Sequence, residues 1–214
     1  MMRKLLLAVL LLPAALVCAQ ALKPVALPAP QTSGGKPLMQ VLKERKSVRD
    51  FGPEPLSRQT ISNLLWAAWG VNREDGRRTA PSASNRQEIE VYAVMADGAY
   101  LYDAQANALK PVTAADLRKF AGTQPYVAGA PVNLVYVADT AKLGGDDAAR
   151  LATANADTGF IAQNVYLFCA SEGLGTVVRG SVNRDDLGKA LNLRAGQRIT
   201  LAQSVGYAKK SAGN

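Results

Sequence analysis

The feature that most restricts the fold is an almost unbroken apolar run, VNLVYVA, at residues 132–138. A half-exposed strand alternates between apolar and polar residues. A run of this length without alternation is instead typical of a strand that is buried on both faces. The sequence therefore predicts a sheet in which residues 132–138 form a buried central strand.

Further strands and helices are predicted on both sides of this run. Apolar residues recur at helical spacing between Ser57, a suitable N-cap, and Gly70, while Gly173 ends the longest helical pattern. The order mixes a hairpin with helix-linked strands, which favours an α+β fold over a doubly wound parallel sheet. The other predicted helices span 38–44, 113–120, 146–172 and 185–191, and the other predicted strands span 89–95, 99–103, 108–112, 175–178 and 199–205.

The first 21 residues resemble a secretory signal peptide. Arg3 and Lys4 precede an apolar run of about 13 residues, and the small residues AQA follow at 19–21, a pattern suited to cleavage. The run is short for a membrane span, although an uncleaved anchor stays open as an alternative. Cys18 leaves lipidation open as well, but Val17 is bulky where lipoprotein signals have a small residue. We therefore predict an exported, periplasmic protein.

The rest of the chain is predicted to hold one domain behind a linker. Residues 22–37 are rich in proline and contain Thr-Ser-Gly-Gly, which is typical of an extended tether. Residues 38–210 are sufficient for a single domain with a real core, and residues 211–214 form a short tail. Cys169 is the only cysteine outside the predicted signal peptide, so an internal disulfide is excluded.

The chain contains no histidine, which limits the chemistry that its side chains can perform. Ser–His and Cys–His nucleophilic catalysis are excluded, a conventional zinc site is disfavoured, and no metal site is predicted. Loss of Arg3 and Lys4 with the signal peptide leaves 23 of the 25 basic residues against 17 acidic ones. Because the basic residues are scattered, we predict no nucleic-acid partner, and an anionic surface or an anionic cofactor remains.

The first candidate binding segment is ERKSVRDFG at residues 44–52. Side chains alternate in direction along an extended chain, so Arg45, Ser47 and Arg49 are predicted to share one face. Two guanidinium groups beside a hydroxyl group are suited to holding a phosphate. The alternative is a solvated basic turn that follows a helix.

Two further segments carry groups suited to a ligand. APSASNRQE at 80–88 is a loop whose Ser and Asn side chains offer donors and acceptors to sugar hydroxyls or a heterocycle edge. EGLGTVVRG at 172–180 permits a tight helix exit with its backbone close to a planar ligand. The amides of Arg179 and Gly180 are then placed to face a ring edge. An ordinary polar loop and an ordinary helix end are the alternatives.

Taken together and in this order, the segments resemble the nitroreductase family of flavin enzymes. RKSVRDF is followed by PSASN and, nearer the end, by DTGFIAQNVYLFCASEGLGT. VNLVYVAD resembles the central strand of the family and SVGY its last strand and turn, so the resemblance runs from residue 38 to residue 207. It implies a central, mostly antiparallel sheet flanked by helices, a homodimer formed through long helices, and FMN at the subunit interface.

The resemblance also implies roles for individual residues. Arg45 and Ser47 would contact the FMN phosphate or ribityl chain, and Arg49 would lie near the pyrimidine edge, where a cation raises the reduction potential. The 80–88 loop would reach the flavin from the partner subunit, and no catalytic side chain is assigned because the flavin carries the chemistry. The implied cofactor-binding residues are Arg45, Lys46, Ser47, Arg49, Ser82, Ala83, Asn85, Val178, Arg179 and Gly180 (these last two near N5 through an amide), and Lys209 at the phosphate.

The sequence departs from the family pattern at the edge of the expected pocket. After NRQ at 85–87 many relatives have Pro-Trp, whereas this chain has Glu88 and Ile89. Arg179 stands where relatives often have an acidic residue, which would attract anionic substrates or merely alter solvent contacts. The inserted helices that shape substrate access in larger relatives are missing, so the resemblance leaves the substrate open.

We expect an exported FMN-dependent oxidoreductase in which a donor and an acceptor react in turn at one flavin. Nitroaromatics or quinones are the expected acceptors, and the donor is NAD(P)H, a quinol or a small redox carrier. One alternative is a flavin-dependent dehydrogenase of azoline rings in modified peptides, because PSASN is broadly similar to the matching segment of such enzymes. A non-catalytic module, with or without flavin, is the other alternative.

Overall fold

A computed structural model describes residues 22–209, so the predicted signal peptide at 1–21 and the predicted tail at 211–214 lie outside the described residues. The described chain forms a seven-stranded sheet. Its strands are β1 (Val25–Ala26), β2 (Ile89–Met95), β3 (Gly98–Asp103), β4 (Ala108–Thr113), β5 (Val132–Asp139), β6 (Gly175–Arg179) and β7 (Gln197–Gly206). Their order across the sheet is β1-β4-β3-β2-β5-β7-β6, and every neighbouring pair is antiparallel.

Strand β5 is the buried centre of the sheet, as the apolar run predicts. It lies between β2 and β7, and residues 132–138 are all buried. The flanking helices are α1 (Leu38–Glu44), α2 (Arg58–Trp69), α3 (Tyr126–Gly129), α4 (Asp147–Glu172) and α5 (Arg184–Ala190). Helices α2 and α4 cover one face of the sheet, while α5 and a 3₁₀ turn at Arg118–Phe120 cover the other. The α+β prediction is confirmed.

Local signals set the ends of the two long helices. The hydroxyl group of Ser57 accepts a hydrogen bond from the Thr60 amide at 3.0 Å, and Asp146 accepts one from the Ala149 amide at 2.8 Å. Gly173 ends α4 with φ 71°, a left-handed conformation that glycine adopts without steric cost. Within residues 22–209, no helix is both long and apolar enough to cross a membrane.

The helix predicted over 113–120 is not present. Thr113 ends β4, and only Arg118–Phe120 form a 3₁₀ turn. The Thr113 hydroxyl group accepts a hydrogen bond from the Ala115 amide, and Asp116 accepts one from the Arg118 amide. Short polar side chains that bond to the backbone two residues ahead stabilise turns at the expense of a helix. The prediction over 113–120 was therefore wrong.

The segment at 22–37, predicted as a tether, is extended but lies along the domain. Residues of β1 pair with β4, and Leu27 is buried. The carbonyl oxygen of Pro28 accepts a hydrogen bond from Asn107 at 2.8 Å, and the Lys36 amide donates one to Ser171 at 3.0 Å. The segment thus forms an edge strand and then crosses to the C-terminal end of α4.

Candidate functional site

The basic segment and the C-terminal strands meet at the open edge of the sheet. The Val48 amide donates a hydrogen bond to the carbonyl oxygen of Thr176 in β6, at 2.9 Å. The Lys209 amide donates one to the carbonyl oxygen of Asp50, at 3.0 Å. These backbone bonds hold residues 45–52 extended between β6 and the end of the described chain. Three predicted parts of the site, at 45–49, 178–180 and 209, therefore lie side by side.

A close backbone approach at Gly175 makes this arrangement possible. A methyl group at Gly175 would lie 2.8 Å from a methyl carbon of Val48, closer than side-chain carbons normally come. The sequence suggested that this glycine-containing helix exit admits a planar ligand. In the structure, Gly175 admits the neighbouring basic segment.

Tyr166 ties the basic segment to β6. It projects from the buried face of α4, and its hydroxyl group lies 2.8 Å from that of Ser47. The same hydroxyl group accepts a hydrogen bond from the Val178 amide at 3.1 Å. The guanidinium carbon of Arg45 lies 5.0 Å from the centre of the Tyr166 ring, within the range of a cation–π interaction. Sequence reasoning missed Tyr166, although a tyrosine on a buried helix face needs a partner for its hydroxyl group.

The basic side chains of this cluster have no internal counter-charge. Arg45, Lys46, Arg49 and Lys209 are all at least partly exposed, and none of them forms an ion pair with a carboxylate of residues 22–209. Four cations at one edge of the sheet form a donor set suited to an anion such as a phosphate group. The residues present therefore fit the phosphate end of a flavin mononucleotide.

The side chain of Arg179 does not join this cluster. Its guanidinium group is buried and donates hydrogen bonds to Ser204 at 2.8 Å, to Asn133 at 2.8 Å and to the carbonyl oxygen of Ala121 at 2.7 Å. Burial lowers the pKa of Arg179 to about 10. The prediction that this side chain faces substrate or solvent was wrong, because it points into the face of the sheet that α5 covers.

Of the two amides predicted to face a ring edge, the strand geometry favours Gly180. Residues alternate along β6, and the Thr176 carbonyl group and the Val178 amide both point away from β7. Arg179 pairs with Ala202 of β7, so its amide belongs to the sheet ladder. Gly180 follows the strand and is exposed.

The 80–88 loop contacts α4 in its N-terminal half. The Ala83 amide donates a hydrogen bond to the carboxylate of Asp157, at 2.8 Å. Asp157 and Tyr166 are nine residues apart on one helix, which corresponds to roughly 13 Å along its axis. Within one protomer, Ser82, Ala83 and Asn85 therefore do not reach the basic cluster. Each chain carries two separate halves of the predicted site.

The loop has a strained backbone and rests on a buried acidic pair. Ser84, Asn85 and Gln87 have positive φ angles of 51°, 52° and 48°. Beneath them, Glu88 is fully buried next to Asp157. The sequence marked Glu88 as a departure from the family but assigned it no role. Within the described part of the chain, no group of three or more acidic or cysteine side chains is placed to hold a metal ion.

Comparisons with known proteins identify the family. The model of the nitroreductase family matches residues 42–207. A nitroreductase-family protein of Methanocaldococcus jannaschii is 32% identical over 170 residues, which cover 73% of this chain and 85% of that protein. A crystal structure of a nitroreductase-family protein from Ralstonia eutropha JMP134 is 41% identical, with a TM-score of 0.83 over 88% of this chain and 90% of that one.

A more distant structure shares the fold alone. The E. coli microcin synthetase McbBCD, solved with truncated pro-MccB17 bound, is 24% identical, with a TM-score of 0.69 over 78% of this chain and 70% of that one. The family match covers the whole sheet from β2 to β7 and, apart from Lys209, both halves of the predicted site. The chain belongs to the nitroreductase family.

Proposed function

We propose that the chain is an FMN-dependent oxidoreductase whose flavin lies between two copies of the protein. The observation that carries this proposal is the placement of Arg45, Lys46, Arg49 and Lys209 on adjoining backbone segments at one edge of the sheet, without carboxylate partners in residues 22–209 and next to a segment held by Tyr166. Membership of the nitroreductase family supports FMN as the anion.

The separation of the two half-sites supports a homodimer. A two-fold axis across α4 would bring the 80–85 loop of one copy to the basic cluster of the other. Apolar side chains are exposed on the helices that such an axis would join: Met39 on α1 is 76% exposed and Phe160 on α4 is 49% exposed. Apolar surface of this kind on adjoining helices is typical of a protein–protein interface.

Each part of the cluster has a distinct task in this proposal. Arg45, Lys46 and Lys209 would bind the phosphate group, and Tyr166 would keep Ser47 and Val178 at fixed positions beside the cofactor. Arg49 would place a positive charge at the pyrimidine edge and thereby raise the reduction potential. When bound, FMN supplies the acceptance and donation of hydride or electrons. Because the chain has no histidine, water or the substrate would supply protons.

For the physiological reaction we propose the donors and acceptors that the resemblance to the family led us to expect. Nitroaromatics or quinones would be acceptors, and NAD(P)H, a quinol or a redox carrier would be the donor. Export through residues 1–21 would place the enzyme in the periplasm and favour a donor other than nicotinamide, whose pools are cytoplasmic. Anaerobic addition of each donor to FMN-loaded protein, followed by the flavin absorbance, identifies the donor by bleaching.

Titration of the apoprotein with FMN tests the cofactor directly. We expect the flavin fluorescence to be quenched at one FMN per protomer, and dithionite to bleach the bound flavin. Arg45→Ala should weaken FMN binding roughly 10- to 100-fold, because a charge-assisted bond to phosphate contributes about 1.5–3 kcal/mol. Lys43→Ala is the matched control, since Lys43 is an exposed cation on α1 outside the cluster.

The outcomes separate the three candidate functions. Equal weakening by Arg45→Ala and Lys43→Ala would show that only the overall charge matters. Protein that never retains FMN would support the non-catalytic alternative. Oxidation of azoline peptides without turnover of nitroaromatics or quinones would support the peptide dehydrogenase.

A further inference from the structure

A buried pair of carboxyl groups lies beneath the 80–85 loop. Glu88 precedes β2 and is 0% exposed, and Asp157 on α4 is 4% exposed. Neither carboxyl oxygen of Glu88 meets a hydrogen-bond donor within residues 22–209. The side chain of Asp157 is within hydrogen-bonding reach of Glu88. Two carboxylates in one buried site repel each other, so a proton on the pair stabilises it.

The charged groups around the pair do not neutralise it. The Lys142 ammonium group donates to the carbonyl oxygen of Gln87 at 3.0 Å, and the guanidinium group of Arg86 donates to the carbonyl oxygen of Lys142 at 2.9 Å. Lys142 is thus close enough to attract Glu88 but forms no ion pair with it.

The neighbouring strand supplies no counter-charge either. The Asp139 amide donates to the carbonyl oxygen of Glu88 at 2.9 Å, while the Asp139 carboxylate faces Arg194 at 3.4 Å. Burial is the main reason why the pKa of Glu88 is raised to about 7, followed by the hydrogen bond and the negative charge of Asp157.

Asp157 also holds the loop above the pair. It accepts the hydrogen bond from the Ala83 amide at 2.8 Å. Ser84 and Gln87, nearby in the loop, have a left-handed backbone, which is unfavourable for residues other than glycine, asparagine and aspartate. Such a backbone persists only when surrounding contacts hold it, and the bond to Asp157 is one of those contacts.

We propose that Glu88 is a positioning residue of the flavin site. Its protonated carboxyl group donates a hydrogen bond to Asp157, and Asp157 in turn holds the Ala83 amide and the 80–85 loop in the shape that meets the cofactor of the partner subunit. The flavin part of this proposal rests on the proposed function. Loss of the proton leaves two buried negative charges, and the loop opens more often.

Hydrogen exchange of the cofactor-free protein measures this opening without any flavin. Protection factors of the amides at 83–87, corrected for the intrinsic pH dependence of exchange, are compared at pH 6 and pH 8. If opening returns Glu88 from a pKa of about 7 to the ordinary value of 4.5, linkage makes opening about tenfold more frequent at pH 8 than at pH 6. We expect a tenfold loss of protection in the wild-type loop.

Two variants assign the effect to Glu88. Glu88→Gln is neutral at every pH and can still donate to Asp157, so its loop protection should be independent of pH. Glu90→Gln is the matched control: Glu90 lies two residues along, on β2, and accepts a hydrogen bond from Gln197 at 2.7 Å. The loop of Glu90→Gln should lose as much protection between pH 6 and pH 8 as the wild-type loop does.

A third variant keeps the test valid if Glu88→Gln fails to fold. In Asp157→Asn the repelling charge is gone and the new amide can donate to the Glu88 carboxylate, so the pKa of folded Glu88 should fall toward its ordinary value. The loss of loop protection between pH 6 and pH 8 should therefore be clearly smaller than in the wild type. A loss in Asp157→Asn as large as in the wild type would overturn the proposal, as would a wild-type loop without pH dependence or a Glu88→Gln variant that retains it.

FMN titrations at pH 6 and pH 8 test the link to the flavin site separately. We expect the wild-type affinity to fall with loop protection and the Glu88→Gln affinity to stay constant over the same range. If the protein binds FMN and the protection of its loop depends on pH, but its FMN affinity does not, the role of Glu88 in positioning the flavin site is refuted. Failure to bind FMN at either pH refutes the proposed function and leaves the exchange result to decide whether Glu88 holds the loop.

Discussion

Removal of the Tyr166 hydroxyl group tests how the basic segment is held. Tyr166→Phe deletes the bond to Ser47 at 2.8 Å and the bond from the Val178 amide at 3.1 Å, and it leaves the ring in place. Each such bond contributes about 0.5–1.5 kcal/mol net, so the free energy of unfolding should fall by about 1–3 kcal/mol. Urea unfolding, with an unchanged m value, measures this loss.

The affinity for FMN separates a site role from a purely structural one. Ser47 and Val178 lie on the two segments proposed to contact FMN, so Tyr166→Phe should raise the Kd for FMN about tenfold, equivalent to about 1.4 kcal/mol. Tyr136→Phe is the control, because the Tyr136 hydroxyl group donates to Gln203 at 2.6 Å deep in the core. It should lower stability and leave the Kd unchanged. Equal effects of both variants on the Kd would refute the reasoning.

Three other perturbations have defined outcomes. Arg179→Lys should lower the free energy of unfolding by about 2–4 kcal/mol in urea, because the buried fork loses hydrogen bonds, with little change in FMN affinity; a large loss of affinity would return this side chain to the site. Stability should fall by about 3 kcal/mol as pH rises from 4.5 through 7, because folded Glu88 binds its proton more tightly than unfolded Glu88 does, and thermal melts of Glu88→Gln should lack this loss. Gly175→Ala should weaken FMN binding by displacing Val48, and Val48→Ala in the same chain should restore it in titrations.

The parts of the fold that depend on local signals could be predicted from the sequence. The apolar run at 132–138 is buried as β5 because it has no polar position to face water. Ser57 and Gly173 mark helix ends through their own hydrogen bond and backbone angle. The basic segment is extended, as the interpretation that placed Arg45 and Arg49 on one face required, because bonds from Val48 and to Asp50 fix it.

The parts of the fold and of the site that depend on residues distant in sequence could not be predicted from the sequence. The sequence predicts an exposed side chain at Arg179, and only the folded sheet shows that Ser204 and Asn133 surround its guanidinium group. Tyr166 lies on an ordinary helix until Ser47, 119 residues away, meets its hydroxyl group. Residues 22–37 have the composition of a tether, yet the free edge of β4 offers them a strand partner.

The central claim is that one flavin is held by residues 45–49 of one chain and by the 80–85 loop of its partner. A heterodimer made from differently tagged Arg45→Glu and Ala83→Trp chains tests it, with bound FMN counted by absorbance. Homodimers of either variant should bind none. If the site is shared, both lesions fall in one site of the heterodimer and the other site is intact, so we predict one FMN per heterodimer. If each site is built within one chain, both sites are damaged, and a heterodimer without FMN would contradict the account.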